Sequence, residues 1–240
     1  MSVRAILFDL DNTLLENPIE QFIPAYISAL GEHAAGHVDR DTFVAELLRA
    51  TDAMIANRDP NQTNKEVFDD LFFPAVGRTQ EELGPVLEDF YAHRFVELRV
   101  VSRPKPIARP LMEWVFDQGF QVVIATNPLF PRIAVEERLA WADVPVDEFD
   151  YDLITTYEHM HAAKPHGAYY LEIARHLGRR PEECLMVGDE WDRDIQPALD
   201  VGMGAFWIAE PDQEPPADDP GPVARGSLAD FYVWVTGRVD

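Results

Sequence analysis

The stretch from Val3 to Phe8 constrains this chain most, because of what it is and how it ends. It is apolar apart from Arg4, too continuous for a strand with one wet face and too short for a helix. That pattern predicts a parallel strand buried on both faces. It ends on Asp9 and Asp11, followed by the turn-forming pair Asn12 and Thr13. In an extended chain, side chains two residues apart point the same way. Two carboxylates on one buried edge repel each other and lose hydration, so the pair calls for a cation or a shared proton. A strand running into an ordinary polar loop explains one Asp but not the pairing.

From Asn17 to about Val101 the period changes from strand to helix. Phe22, Ile23, Tyr26, Ile27 and Leu30 recur at helical spacing, with Gly31 as the expected stop. Phe43, Val44, Leu47 and Leu48 form a second stripe behind Asp39 or Asp41. Val67, Phe68, Leu71 and Phe72 form a third, expected to end at Pro74. Thr79 and Glu82 make a capping box ahead of a fourth that runs to Phe95. No strand pattern appears, so residues 17–101 read as a helical insert, and Pro104, Pro106 and Pro110 mark its exit.

Beyond the insert, helices and strands alternate. Helices are expected at Leu111 to Gln118, Ile133 to Trp141, Tyr169 to Leu177 and Ile195 to Leu199. Strands are expected at Phe120 to Ala125, Tyr151 to Thr155, Glu183 to Val187 and Ala205 to Ile208. Gly119, Gly178 and Gly202 close three of the helices. Strands separated by helices pair in parallel through right-handed crossovers, which makes an α/β sheet covered on both faces. The acidic stretch Pro211 to Pro222 reads as a surface loop or partly disordered segment. A closing helix, Leu228 to Val235, is capped by Ser227.

Composition narrows the function classes. At 240 residues and 47% hydrophobic, the chain can bury one large core plus a smaller insert. A net charge of −23 argues against nucleic acid and anionic membranes as partners. The single cysteine, Cys184, lies in an apolar run and suits a small buried hydrophobe in a reducing compartment. With no charged-then-apolar leader and no span of membrane length, the chain is expected to be soluble and cytoplasmic, a monomer or homodimer. Positive charge is mostly arginine, the only lysines being Lys65, Lys105 and Lys164. The acidic, lysine-poor balance fits either a high-salt or a high-GC source.

Ligand sites in open parallel sheets lie at the carboxyl ends of the strands. Three strands end in the same kind of polar signal: Asp9 with Asp11, Thr126 with Asn127, and Asp189 with Asp194. Lys164 follows a fourth strand and precedes Pro165. In an arginine-rich chain, a lysine there suggests a compact point charge rather than a planar fork. Together FDLDNTL, ATN, Lys164-Pro165 and GDEWDRDI resemble, in order and placement, the four motifs of the haloacid dehalogenase superfamily of aspartate-nucleophile hydrolases.

The resemblance implies a Rossmann-like parallel sheet with helices on both faces, residues 1–16 and 102–240, and an α-helical cap domain, 17–101. It implies Mg²⁺ as cofactor and a small phosphorylated metabolite as substrate. Asp9 would attack phosphorus to give an aspartyl-phosphate. Asp11 would protonate the leaving oxygen and then deprotonate water. The carboxylates of Asp9 and Asp189 and the backbone carbonyl of Asp11 would hold the metal. Thr126, Asn127 and Lys164 would hold the phosphoryl oxygens, Lys164 also offsetting the charge on Asp9. Asp194 would be a further acid on the metal side, orienting Lys164 or a metal water.

Plainer readings stand beside these. Asp189 and Asp194 could cap or complement a helix start. Thr126 and Asn127 could simply form a turn before Pro128. Glu190 and Trp191 depart from the family's usual small polar residue, and Glu190 would either add charge near the metal or face solvent. Cap residues that could touch substrate are Asn17, Gln21, Tyr26, Arg58 and Lys65, while most cap aromatics would pack its own core. His33 and His37 have helical metal-pair spacing, yet Gly36 and the turn expected at Gly31 favour a solvated loop. Phosphomonoester hydrolysis is the leading expectation. Within the superfamily, 2-haloacid dehalogenation is opposed by Asp11, phosphonate cleavage would need Lys65 as a Schiff base, and a phosphomutase would use the same chemistry. A metabolite-binding module without turnover would be free to lose Asp9 or Asp11, and both are present.

Overall fold

β1 (Ala5–Phe8) is buried along its whole length, and its alternate side chains serve two different cores. Ile6 and Phe8 face one hydrophobic cluster, whereas Ala5 and Leu7 face the other. A strand wet on one face could not carry four apolar residues in succession; this one does because helices cover both sides. The computed structural model describes residues 3–214 and 223–238. Six parallel strands form the sheet in the order β5-β4-β1-β6-β7-β8, where β4 is Gln121–Ile124, β5 Leu153–Ile154, β6 Cys184–Gly188, β7 Gly204–Ile208 and β8 Ala224–Gly226. β1 is therefore central, with β4 on one side and β6 on the other. The chain moves outward on one side, β4 then β5, before crossing to β6, which makes the β1–β6 border a topological switch point.

The helices of this sheet are α5 (Ala108–Asp117), α6 (Arg132–Trp141), α7 (Gly167–His176), α8 (Gln196–Asp200) and α9 (Leu228–Thr236). Gly119 and Gly178 lie two residues beyond the ends of α5 and α7 with φ of +74° and +64°. That left-handed conformation is what the sequence asked of them. Ser227 caps α9 through a complete capping box with Asp230. β8 was not legible, because only three residues between proline-rich chain and a helix cap form it. Of the stretch from Pro211 to Pro222, residues 211–214 are exposed and 215–222 lie outside the described residues.

The insert is helical, as its periodicity requires: α1 (Ile19–Ala34), α2 (Arg40–Ala56), α3 (Asn64–Ala75) and α4 (Gln80–His93), then a 3-10 segment, Phe95–Val101. Two short strands, β2 (Leu15–Glu16) and β3 (Arg103–Pro104), pair antiparallel where the chain enters and leaves it. α1 does not stop at Gly31. That glycine is buried inside the helix, and a Cβ there would meet Val44 Cγ2 of α2 at 3.1 Å, so it serves close helix packing. α3 likewise runs one residue past Pro74, which removes a single hydrogen bond in its last turn. The aromatic residues of the insert do not form a closed core of their own. Phe22 and Phe95 reach Trp141 of α6, with ring centroids 6.3 and 5.4 Å apart, and one hydrophobic cluster spans both parts. No helix among the described residues is long and apolar enough to cross a membrane.

Candidate active site

Sheet register assembles the site. Phe8 stands opposite Ile124 on β4 and Val187 on β6. The next residues of the three strands, Asp9, Ala125 and Gly188, therefore share one level at their carboxyl ends. Asp9 N–H donates to the Val187 carbonyl at 2.9 Å, and Ala125 N–H to the Phe8 carbonyl at 2.7 Å. One residue further on come Thr126 and Asp189.

Lys164 closes the group from the loop between β5 and α7. Its Nζ donates to Asp9 Oδ1 at 2.7 Å and to Asp194 Oδ1 at 2.5 Å, and the side chain is 2% exposed. Burial works to lower the lysine pKa, but the carboxylates of Asp194 and Asp9 outweigh it, so the ammonium stays charged. Asp9 is raised above the usual carboxylate range, first by burial and then, against the pull of Lys164, by Asp194, Asp189 and Asp11. Burial, Asp194 and Glu190 likewise raise Asp189 to about 7. One lysine is thus set against three crowded acids, and the cluster carries surplus negative charge.

The donor set fits a divalent cation. Asp9, Asp189 and Asp194 each offer a carboxylate oxygen, and these atoms all lie within 4.8 Å of one another. All-oxygen ligation suits Mg²⁺, and its charge would reverse the surplus that lifts Asp9 and Asp189.

Close packing fixes Asp194. A Cβ on Gly188 would lie 2.3 Å from Asp194 Oδ2, so the carboxylate rests directly on the glycine. Asp194 Oδ2 also accepts from Glu190 N–H at 3.1 Å. Gly188→Ala is expected to displace Asp194, cost about 1–3 kcal/mol and lower Tm by roughly 5 °C. Calorimetry checks this, and an unchanged Tm would show that Asp194 has room to retreat.

Asp11 faces elsewhere. Its Oδ1 accepts from Asn17 Nδ2 at 2.8 Å, and its Oδ2 pairs with Nη1 of Arg138, a side chain 1% exposed on α6. Ser102 Oγ in turn donates to Asn17 Oδ1 at 2.7 Å. Asn17 and Ser102 flank β2 and β3, so the two crossings into the insert are tied to the Asp11 carboxylate. The Arg138 guanidinium lies over the Phe130 ring, 4.6 Å from its centroid. Sequence reasoning placed Asn17 among substrate contacts and did not find Arg138 or Ser102. Arg138 is one of two arginines in its helix, and nothing at its own position marks it.

Other expected residues distribute as follows. Thr126 is buried; its carbonyl accepts from Thr155 Oγ1 at 2.6 Å and Tyr169 OH at 2.9 Å. Among the described residues its hydroxyl makes no hydrogen bond and remains free for a ligand. Asn127 Oδ1 accepts from Lys164 N–H at 3.2 Å, so it braces the lysine loop. Thr13 Oγ1 donates to Asp189 Oδ1 at 3.4 Å, and Lys105 Nζ to the Asn12 carbonyl. Glu190 turns outward toward Arg193 at 3.4 Å, and Trp191 packs edge-on against Trp207. Trp207 Nε1–H donates to the Asp189 carbonyl at 2.9 Å. Gln21 is exposed, Arg58 bonds the Ile55 and Asn57 carbonyls, and Lys65 pairs with Asp69. His33 lies within α1 and pairs with Asp89 at 3.3 Å, while the His37 carbonyl accepts from Arg78. Asn64 at the start of α3 donates to the Pro128 and Ala162 carbonyls at 3.3 and 3.4 Å, docking the insert on the loops that carry Asn127 and Lys164.

Residues 3–202 match a family model described as haloacid dehalogenase-like hydrolase. The glyceraldehyde 3-phosphate phosphatase of Methanopyrus kandleri is 25% identical over 92% of this chain and 91% of its own length. The ribulose-1,5-bisphosphate 5-phosphatase of Halopiger xanaduensis is 29% identical over 90% and 88%. Among solved structures, a 2-haloacid dehalogenase from Pseudomonas syringae pv. Tomato superposes with a TM-score of 0.66 at 22% identity, covering 98% of this chain and 99% of that one. A haloacid dehalogenase-type phosphatase from Thermococcus onnurineus gives 0.60 at 22%, covering 99% and 100%. At such identities the structural likeness speaks for the fold.

Proposed function

The chain belongs to the haloacid dehalogenase-like hydrolase family, and we propose that it is a Mg²⁺-dependent phosphomonoester hydrolase acting on a small phosphorylated metabolite. In this reading residues 1–16 and 102–240 are the catalytic core, and 17–101 cap it. The observation that carries the proposal is a buried Asp9 held by Lys164 beside Asp189 and Asp194, with a second acid two residues on. Relatives named for glyceraldehyde 3-phosphate and ribulose 1,5-bisphosphate support a small phosphoester.

Lys164 fixes one oxygen of Asp9, and among the described residues the other oxygen accepts no hydrogen bond. That free oxygen attacks phosphorus; a P–O bond to Asp9 forms as the ester P–O bond breaks. The leaving oxygen takes a proton from Asp11. A water then gives its proton to Asp11 and attacks the same phosphorus, releasing phosphate and restoring Asp9. For this Asp11 must turn one oxygen from Asn17 or Arg138 toward the reacting group. Lys164, the Thr126 hydroxyl and Asn127 offset or hold the phosphoryl oxygens. Mg²⁺, held by Asp9, Asp189 and the Asp11 backbone carbonyl, would screen the acids so that a phosphate dianion can approach.

The test is phosphate release from a panel containing glyceraldehyde 3-phosphate, ribulose 1,5-bisphosphate, phosphoglycolate and pyrophosphate, with Mg²⁺ and with EDTA. Activity on at least one ester that vanishes with EDTA and returns with Mg²⁺ is expected. Release unaffected by EDTA would overturn the proposal, as would halide release from a 2-haloacid without metal.

Metal binding should also depend on pH. The Asp189 pKa is raised, so between its ordinary value and about 7 the folded protein holds a proton that the unfolded chain has lost. This term therefore lowers the stability of the metal-free protein as pH rises through that window. A metal must displace the same proton. The Tm increase on adding Mg²⁺ is expected to be larger at pH 8 than at pH 5.5. Equal increases at the two pH values would remove Asp189 from the metal's ligands.

A further inference from the structure

The stretch GDEWDRDI contains one bulky residue, Trp191, to which the reaction gives no task. Trp191 opens a turn of π-helix, Trp191–Ile195, closed by a hydrogen bond from the Gln196 N–H to the Trp191 carbonyl. The wider turn brings Trp191, Asp194 and Ile195 inward together and leaves Asp192 and Arg193 outside. Tyr170 OH satisfies the Arg193 carbonyl. Trp191 and Ile195 then form a small hydrophobic cluster with Ala205 and Trp207 of β7, apart from the two cores that cover the sheet. Trp191 meets Trp207 edge to face, with ring centroids 5.1 Å apart.

This cluster borders the acid group at Asp189. Asp189 lies one residue beyond β6, and no backbone N–H among the described residues reaches its carbonyl. The donor is a side chain instead, Trp207 Nε1–H at 2.9 Å. Repulsion by Asp194 and Glu190 works to drive Asp189 out of the group. Two side chains oppose that movement: Thr13 Oγ1 donates to Asp189 Oδ1 at 3.4 Å, and the indole of Trp207 holds the backbone. Trp207 is buried and packed against Trp191, so its N–H cannot swing away.

We infer that Trp207 is a positioning residue for the metal. Its indole N–H fixes the Asp189 backbone so that the carboxylate stays with Asp9 and Asp194, and Trp191 holds the indole in place. The inference rests on Asp189 as a Mg²⁺ ligand, as proposed above. Groups that hold a metal ligand govern metal affinity by about 10- to 100-fold.

The test is calorimetric titration of the EDTA-treated full chain with Mg²⁺, without substrate. Trp207→Phe keeps an aromatic ring but loses the N–H, and should weaken Mg²⁺ binding about tenfold or more. Trp191→Phe makes the same change in the same cluster without touching a bond to Asp189, and should stay within about twofold of wild type. Equal affinity for wild type and Trp207→Phe would overturn the inference. So would an equal loss in both variants, which would make the effect one of packing. A wild type that binds no Mg²⁺ would overturn both this inference and the function proposed above. A second measurement stands even where Trp207→Phe fails to fold. In wild-type protein labelled at the indole nitrogens, the Trp207 Nε1–H signal, identified by its contacts to the Trp191 ring, should shift on adding Mg²⁺. An unmoved signal would overturn the inference.

Discussion

Replacing Asp9 by asparagine is expected to end phosphate release, lowering kcat by about 10⁴-fold or more. The amide cannot form the aspartyl-phosphate, and Asp11, the other acid at this strand end, is bound by Arg138 and Asn17. The amide Oδ1 can still accept from Lys164, which now donates at 2.7 Å. The substitution also removes the Asp9 carboxylate from its crowd of acids, Asp194, Asp189 and Asp11. The metal-free variant should therefore melt at or above the wild-type temperature, which separates loss of chemistry from loss of fold. Wild-type enzyme quenched in acid during turnover should carry one phosphoryl group by mass spectrometry, and the variant none. Phosphate release that survives this change would remove Asp9 as nucleophile.

Asp9, Asp189 and Lys164 were legible because each obeys a local rule. Asp9 ends an apolar strand, Asp189 follows Gly188 at the end of another, and Lys164 is one of three lysines in an arginine-rich chain. Parallel strands and a strand-end site then bring them together without further information. Asp194 was legible as an additional acid, and it does hold Lys164. Gly31 misled because a glycine ends a helix only when it turns left-handed, and it can equally stay helical where a neighbouring helix packs close. Here Val44 needs the space, a fact that resides in another helix. Arg138 was missed for a related reason. Its partner is 127 residues away, and an arginine in an amphipathic helix carries no sign that it points inward. The cap aromatics were assigned to a closed core because periodicity reports which side is apolar. It cannot report that the apolar sides fail to meet and leave a cavity.

Asp11→Asn is expected to lower kcat about 10²- to 10⁴-fold on an alkyl phosphate, the range of a general acid–base group. The loss should shrink for p-nitrophenyl phosphate, whose leaving oxygen needs little protonation, wherever formation of the phospho-enzyme limits the rate. The same substitution carries a structural cost, because Arg138 is buried and would lose its carboxylate. An uncompensated buried charge of this kind costs about 3 kcal/mol. A fall in activity alone would therefore not distinguish proton transfer from disturbed packing. The double variant Asp11→Asn/Arg138→Met makes the distinction. Methionine removes the charge and fills the space beside Phe22 and Phe130, so stability should recover toward wild type. Activity on the alkyl ester should stay low. If activity returns with stability, Asp11 serves to hold Arg138 and the proton comes from elsewhere. If stability returns and activity does not, the second carboxylate of the opening strand moves the proton, and the arginine positions it.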